Sequence, residues 1–173
     1  SIFDNFDYYR ISANYNGSAY NGTSILVYGD AGIITISNDG GNNWKQVSID
    51  DSLNIMSITN IGKVYYGVTN KNYIVQSIDG GNTWRIFFIE NNNFYKILPY
   101  NDKLFCLTRT SIIEFNQNIE KIKEFPVISD TCLLDFAIAG DNIFFTGGAG
   151  KINKINLLND DITNFNLKDL GIC

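Results

Sequence analysis

The stretch Ser37-Asn-Asp-Gly-Gly-Asn-Asn-Trp44 returns forty residues later as Ser77-Ile-Asp-Gly-Gly-Asn-Thr-Trp84. A fixed period constrains a chain more than any bulk property, because each repeat must be a unit that its neighbours complete. The period continues where the octamer itself is lost. Setting 33–47 and 73–87 above 111–125 and 151–165 gives one column of Trp44, Trp84, Ile122 and Ile162. A second column reads Val47, Phe87, Phe125 and Phe165. Upstream, the runs at 26–29, 64–67, 104–107 and 143–147 recur at a similar spacing of about forty residues. All are short, rich in β-branched and aromatic residues, and punctuated by Gly, Asn and Asp, which is the pattern of antiparallel strands.

A unit of about forty residues holding about four short strands has the length of one β-propeller blade. The chain therefore reads as a single all-β domain, 1–173, with blades at 12–50, 51–90, 91–127 and 128–166. Residues 1–11 and 167–173 are then strands of adjoining blades. Four blades leave three arrangements: a small ring, an arc closed by a second copy, or part of a larger propeller. An open arc exposes a long apolar edge, which natural proteins avoid. The expectation is an arc completed by a second copy or by further blades, and Gly171-Ile-Cys173 reads as chain entering another strand.

Composition narrows the partners. Thirteen Lys and Arg are scattered against 18 Asp and Glu, for a net charge of −5. No basic stripe is present to neutralise a run of phosphates or to sit on an anionic membrane. Nucleic acid and membrane insertion are thus excluded as expectations, since no apolar run approaches the ~18 residues of a span either. The chain opens at Ser1, which reads as a processed or shortened end, and no signal segment is visible. Cys106, Cys132 and Cys173 are too widely spaced for a disulfide framework or a metal site, and read as buried apolar residues of strands, with one disulfide plus a free thiol as the alternative. No cofactor and no metal are expected.

The octamer has a folding role for each of its residues. Asp39 and Asp79 accept hydrogen bonds from N–H groups of their own turns. Gly40, Gly41, Gly80 and Gly81 supply positive φ, and Ser37 and Ser77 close the strand before the turn. Trp44 and Trp84 begin the next strand and bury a large ring that fixes the turn. These residues resemble the Asp-box, or BNR repeat, of sialidases, sortilin-type receptors and photosystem II stability/assembly factors. Residues 27–47 are most similar to the assembly-factor type, over the first two blades. The resemblance implies a box on the outer rim, away from the ligand-binding face, and a secreted, periplasmic or cell-surface protein.

Catalysis finds little support. The chain has no His, which removes Ser-His-Asp and Cys-His relays. Residues 147–151, Gly-Gly-Ala-Gly-Lys, lack the spacing of a phosphate loop and read as a turn. Arg10, in Tyr8-Tyr9-Arg10-Ile-Ser, is similar to the stretch carrying the first arginine of the sialidase triad. Ser12 replaces the proline of that motif, and only Arg85 and Arg109 remain as further arginines. Tyr8, Tyr9, Tyr15 and Tyr20 form a dense aromatic group that could stack on sugar. The expectation is a non-catalytic propeller that binds a protein or surface ligand through loops on one face. The alternatives are a fragment of a sialidase-like, glycan-processing enzyme and a lectin-like, glycan-binding propeller.

Overall fold

The computed structural model describes residues 14–126, 133–147 and 151–166. Sixteen strands account for most of them, and one short 3-10 turn, Asp30–Gly32, is the helical element among them. They form four separate antiparallel sheets, each a simple meander. The first holds β1 (Tyr15–Tyr20), β2 (Ile25–Gly29), β3 (Ile33–Ser37) and β4 (Lys45–Ser48). The second holds β5 (Ile55–Ile61), β6 (Val64–Thr69), β7 (Tyr73–Ser77) and β8 (Arg85–Phe88). The third holds β9 (Phe94–Tyr100), β10 (Lys103–Thr108), β11 (Ser111–Phe115) and β12 (Lys121–Pro126). The fourth holds β13 (Leu133–Ala139), β14 (Asn142–Gly147), β15 (Lys151–Asn156) and β16 (Ile162–Asn166).

The first strands lie nearest the axis, where β1 packs on β5, β5 on β9 and β9 on β13. Among the described residues, nothing comparable joins the fourth sheet to the first. The all-β expectation of four stacked blades is what the structure shows: a four-bladed, propeller-like arc that is not closed. Asn101 and Asp102, both with positive φ, close β9 to β10 in two residues, as a primed hairpin turn requires.

Stacking explains the composition of the middle strands. A strand side chain points to alternate faces, so a sheet covered on both sides must be apolar at nearly every position. β11 reads Ser-Ile-Ile-Glu-Phe and is buried throughout, while the outermost strands β4 and β8 are mostly exposed. Three cores result, one at each joint. Leu26, Tyr28, Ile34 and Ile36 of blade 1 meet Ile55, Ile58 and Tyr65 of blade 2. Tyr66, Val68 and Ile74 of blade 2 meet Leu104, Cys106, Ile113 and Phe115 of blade 3. Phe105, Leu107 and Ile112 of blade 3 meet Leu133, Phe136, Ile143, Phe145 and Ile155 of blade 4.

Cys106 is fully buried in β10, and burial pushes its thiol far up, which makes it an inert core residue. Cys132 and Cys173 lie outside the described residues. Glu114 is a buried carboxylate whose Oε1 lies 2.6 Å from Lys103 Nζ, so an acidic residue is tolerated inside the third sheet by pairing.

Removing a ring from a joint should cost far more than removing an exposed side chain. Phe115 is fully buried and stacks edge-on with Phe94 at a centroid distance of 6.2 Å. Phe115→Ala is expected to lower unfolding stability by about 3–5 kcal/mol. Leu158→Ala, at a residue 76% exposed, should stay within about 0.5 kcal/mol in the same urea titration.

Candidate functional site

The two octamers are the turns from β3 to β4 and from β7 to β8, and their hydrogen bonds repeat almost one for one. Ser37 Oγ donates to Asp39 Oδ1 at 2.9 Å and accepts the Gly41 N–H at 2.8 Å. Ser77 does the same with Asp79 and Gly81, at 2.9 and 2.8 Å. Each carboxylate then accepts the backbone N–H four residues further along. Asn43 N donates to Asp39 Oδ1 and Thr83 N to Asp79 Oδ1, each at 2.9 Å. The second oxygens accept from Asn43 Nδ2 at 2.6 Å and Thr83 Oγ1 at 2.7 Å. Trp44 Nε1 donates to Gly41 O and Trp84 Nε1 to Gly81 O, both at 2.9 Å. Gly40 and Gly80 have φ of 73° and 74°, and Gly41 and Gly81 of 93° and 94°, all in the region that glycine favours.

Every oxygen of the two carboxylates thus serves its own turn. Hydrogen bonds from Asn43 and Ser37 hold the Asp39 carboxyl below its ordinary range. At Asp79 burial works to raise the value, but the bonds from Thr83 and Ser77 outweigh it, and the net direction is again down. A shallow cleft of about 230 Å³ beside the first octamer is lined by Ile36, Asn38, Asp39, Asn43, Trp44 and Lys45. It is smaller than the roughly 300 Å³ at which ligand sites begin.

The turns also reach across the joints. A methyl group at Gly81 would lie 2.7 Å from Leu26 Cδ2 and 3.4 Å from Ile36 Cδ1, so this turn rests directly on blade 1. Trp84 packs on the core between blades 1 and 2. In the blades without an octamer, the same turn delivers Ile119 to the core between blades 2 and 3, and Leu157 to the core between blades 3 and 4. From blade 2 onward, each third turn therefore places an apolar group on the preceding blade. Trp44 is the exception, being 37% exposed, with its Gly41 facing only its own ring at 3.7 Å. The sequence leads one to expect both rings buried against their own blades. In the structure the second ring instead covers a neighbour and the first remains open, because no blade among the described residues stands before it.

Arg10, Tyr8 and Tyr9 lie outside the described residues. Of the same aromatic group, Tyr15 and Tyr20 sit on β1, 55% and 61% exposed, with Tyr15 Oη 3.1 Å from Thr35 Oγ1. Arg85 begins β8 at the octamer end of blade 2, whereas Arg109 follows β10 at the opposite end of blade 3. The amides of Asn16 and Asn21, each heading an Asn-Gly-Ser/Thr pattern, donate across to blade 2, to Ile55 O at 2.9 Å and Lys63 O at 3.0 Å.

That opposite end is the feature motif reading misses. There the β2–β3 and β6–β7 turns meet the connections between blades. Asn54 accepts the Ala31 N–H through Oδ1 at 3.1 Å and the Asn70 N–H through its carbonyl at 2.9 Å. Its own N–H donates to Asn70 Oδ1 at 2.9 Å. The Gly32 N–H donates to Leu53 O at 2.6 Å, and the Gly32 carbonyl accepts the Ile49 N–H at 3.0 Å. Asp50 receives the Ser52 N–H at 2.8 Å, which holds its carboxyl low. Exposed Asp51, Lys71 and Glu90 project from this tied loop surface. Only the scattered Asn residues signal it in the sequence.

A four-bladed, open propeller is the class this architecture defines. The chain is similar in fold to a computationally designed protein, Ika8, with a TM-score of 0.69 and 7% identity. The match covers 88% of this chain and 49% of that one, so this chain spans about half the length of the designed protein. No family model matches the chain, and no curated protein matches it.

The two octamers should respond differently to the same substitution. Gly41→Ala should cost about 1–2 kcal/mol for its backbone conformation alone. Gly81→Ala should cost about 1–3 kcal/mol more, because Leu26 must move, and a comparison of denaturation midpoints reads the difference. For Asp79→Asn, the folded carboxyl value lies below its ordinary 3.8, so the charged form supplies stability above that pH. The deficit of the variant is therefore expected at neutral pH and should fade as pH falls below 3.8. Thermal melts from neutral to strongly acid pH test this.

Proposed function

We propose that this chain is a non-catalytic interaction scaffold that binds a protein through the loops opposite the octamers. The observation that carries this reading is the bonding of the two ends. The octamer end commits its carboxylates to its own turns, while the loop end joins blades 1 and 2 into one surface through Asn54 and Asn70. A rigid stack that presents loops at fixed spacing is suited to recognition. The absence of His from the sequence removes the commonest proton-transfer group. Arg85 and Arg109, at opposite ends of neighbouring blades, speak for separate surface roles rather than a shared carboxylate clamp.

The octamers are read as Asp-boxes of the assembly-factor type, which makes the partner a protein undergoing assembly, outside the cytoplasm. This step rests on the resemblance of residues 27–47 and 73–87, and fold alone does not fix function.

The test is capture of a partner from the native source by the immobilised chain, with two control surfaces. Reversing charge at Asp51, Lys71 and Glu90 should weaken capture at least tenfold, whereas Asn43→Ser at the octamer end should leave it unchanged. Turnover of a fluorogenic sialoside that Arg10→Ala abolishes would overturn the scaffold in favour of an enzyme. Saturable binding on a glycan array with no protein captured would overturn it in favour of a lectin.

A further inference from the structure

Each blade ends on an outer strand whose far edge pairs with no other strand among the described residues. Such an edge is a template for pairing with another chain, and charged side chains or proline are the usual guard against it. Three of the four outer strands are polar in this way. β4 exposes Lys45, Gln46 and Ser48. β12 exposes one large apolar residue, Ile122, among Lys121, Lys123, Glu124 and Pro126, with Lys121 and Glu124 paired at 2.6 Å. β16 exposes Ile162 beside Thr163 and Asn164. β8 differs. It reads Arg-Ile-Phe-Phe, with Ile86 43% and Phe88 60% exposed.

The same two residues hold the free peptide groups. The Ile89 N–H donates to Asn72 O at 2.7 Å, continuing the register in which Ile74 faces Phe87 and Gln76 faces Arg85. Bonding alternates along an antiparallel ladder, so Arg85 and Phe87 also turn their peptide groups toward β7. The N–H and C=O groups of Ile86 and Phe88 therefore point out from the sheet. Phe87 packs on the core shared with blade 3, which leaves Ile86 and Phe88 on the other face, opposite Val75 and Tyr73. The Tyr73 and Phe88 rings lie 5.6 Å apart. Among the described elements β8 packs closely on β7 alone, so neither neighbouring blade covers its edge.

We propose that two copies of this chain pair edge to edge through β8, joining their second blades into one continuous antiparallel sheet about a two-fold axis at Phe87. A second copy is the occupant that the strand itself specifies. Pairing about Phe87 sets Ile86 of each copy opposite Phe88 of the other, so every outward N–H and C=O of these residues finds a partner. The two Ile–Phe pairs fall on one face of the joined sheet and cover each other. Arg85 of each copy stands opposite Ile89 of the other and one residue from its Glu90, so the strand ends match in charge. A contact in which each patch meets its own copy closes at two chains and leaves no edge of β8 for a third.

A strand of four residues makes a small contact, at the weak end of protein interfaces, so concentration is the variable to change. Light scattering from about 10 µM to about 1 mM is expected to show the mass rising from 19.5 kDa toward twice that value. One chain mass throughout would overturn the proposal, and so would open-ended polymers. Phe88→Lys puts a guarding charge at an exposed position and should hold the particle at one chain mass with its circular dichroism unchanged. Leu158→Lys, at a residue 76% exposed, should leave the rise intact. Doubling retained by Phe88→Lys would contradict the assigned edge. A second arm fixes the register. Residues facing each other without ladder bonds have Cα atoms about 4.5 Å apart, within the disulfide range of about 4.4–6.8 Å. Phe87→Cys, in a background with Cys132→Ser and Cys173→Ser, should therefore oxidise to a two-chain band about tenfold faster than Leu158→Cys in that background. Equal rates would overturn the register.

Discussion

Every other feature of this protein depends on sheet faces packing against one another. A four-stranded meander cannot bury either of its faces alone, and a small sheet by itself is marginal in water. Here each sheet instead shares its apolar residues with a neighbour, and all three cores lie between blades rather than within them. Burial at about 25 cal/mol per Å² accrues at joints, so stability in such a stack is a sum over neighbours. Blades 2 and 3 lie between two neighbours, and their strands β6, β10 and β11 are buried at nearly every position. Among the described residues no further sheet packs on the outer face of blade 4, where Leu134 and Phe144 are exposed.

The octamer is subordinate to that constraint. It is one way to build the third turn of a blade so that an apolar group lands on the preceding blade. Blade 3 achieves the same result with Ile119, held at a φ of 65° in a turn where Asn116 Oδ1 accepts the N–H groups of Asn118 and Glu120. Blade 4 uses Leu157, beside an Asn156 that accepts the Leu158 N–H. The residues differ, but the Asn or Asp acceptor and the apolar plug persist. This is why the spacing of the repeat outlasts its motif.

Much of the fold was legible in the sequence, because the period and the columns record the stacking itself. The column of Val47, Phe87, Phe125 and Phe165 marks one face of the fourth strand, and the three of these at internal joints pack on their cores. Less legible was which side of the blade each Trp serves. Trp44 and Trp84 occupy matching motifs, and only the presence of a neighbouring blade separates a covering ring from an open one. The loop surface around Asn54 was not legible either. Its bonds join residues 16 to 23 positions apart through side-chain amides, and an Asn-rich chain gives such residues no distinguishing pattern. Arg10, Tyr8 and Tyr9, which drew attention by resemblance, fall outside the described residues, and of the other arginines Arg85 and Arg109 stand at opposite ends of their blades.

The central claim is that stacking of faces, and not the octamer, sets the stability of each blade. Native-state hydrogen exchange resolved by strand tests it most directly. The account predicts that β10 and β11, in a blade without an octamer, exchange as slowly as β6 and β7, and that these four strands open together. If protection instead follows the octamer, with blades 1 and 2 slow and blades 3 and 4 fast, turn chemistry governs the fold and the account is wrong.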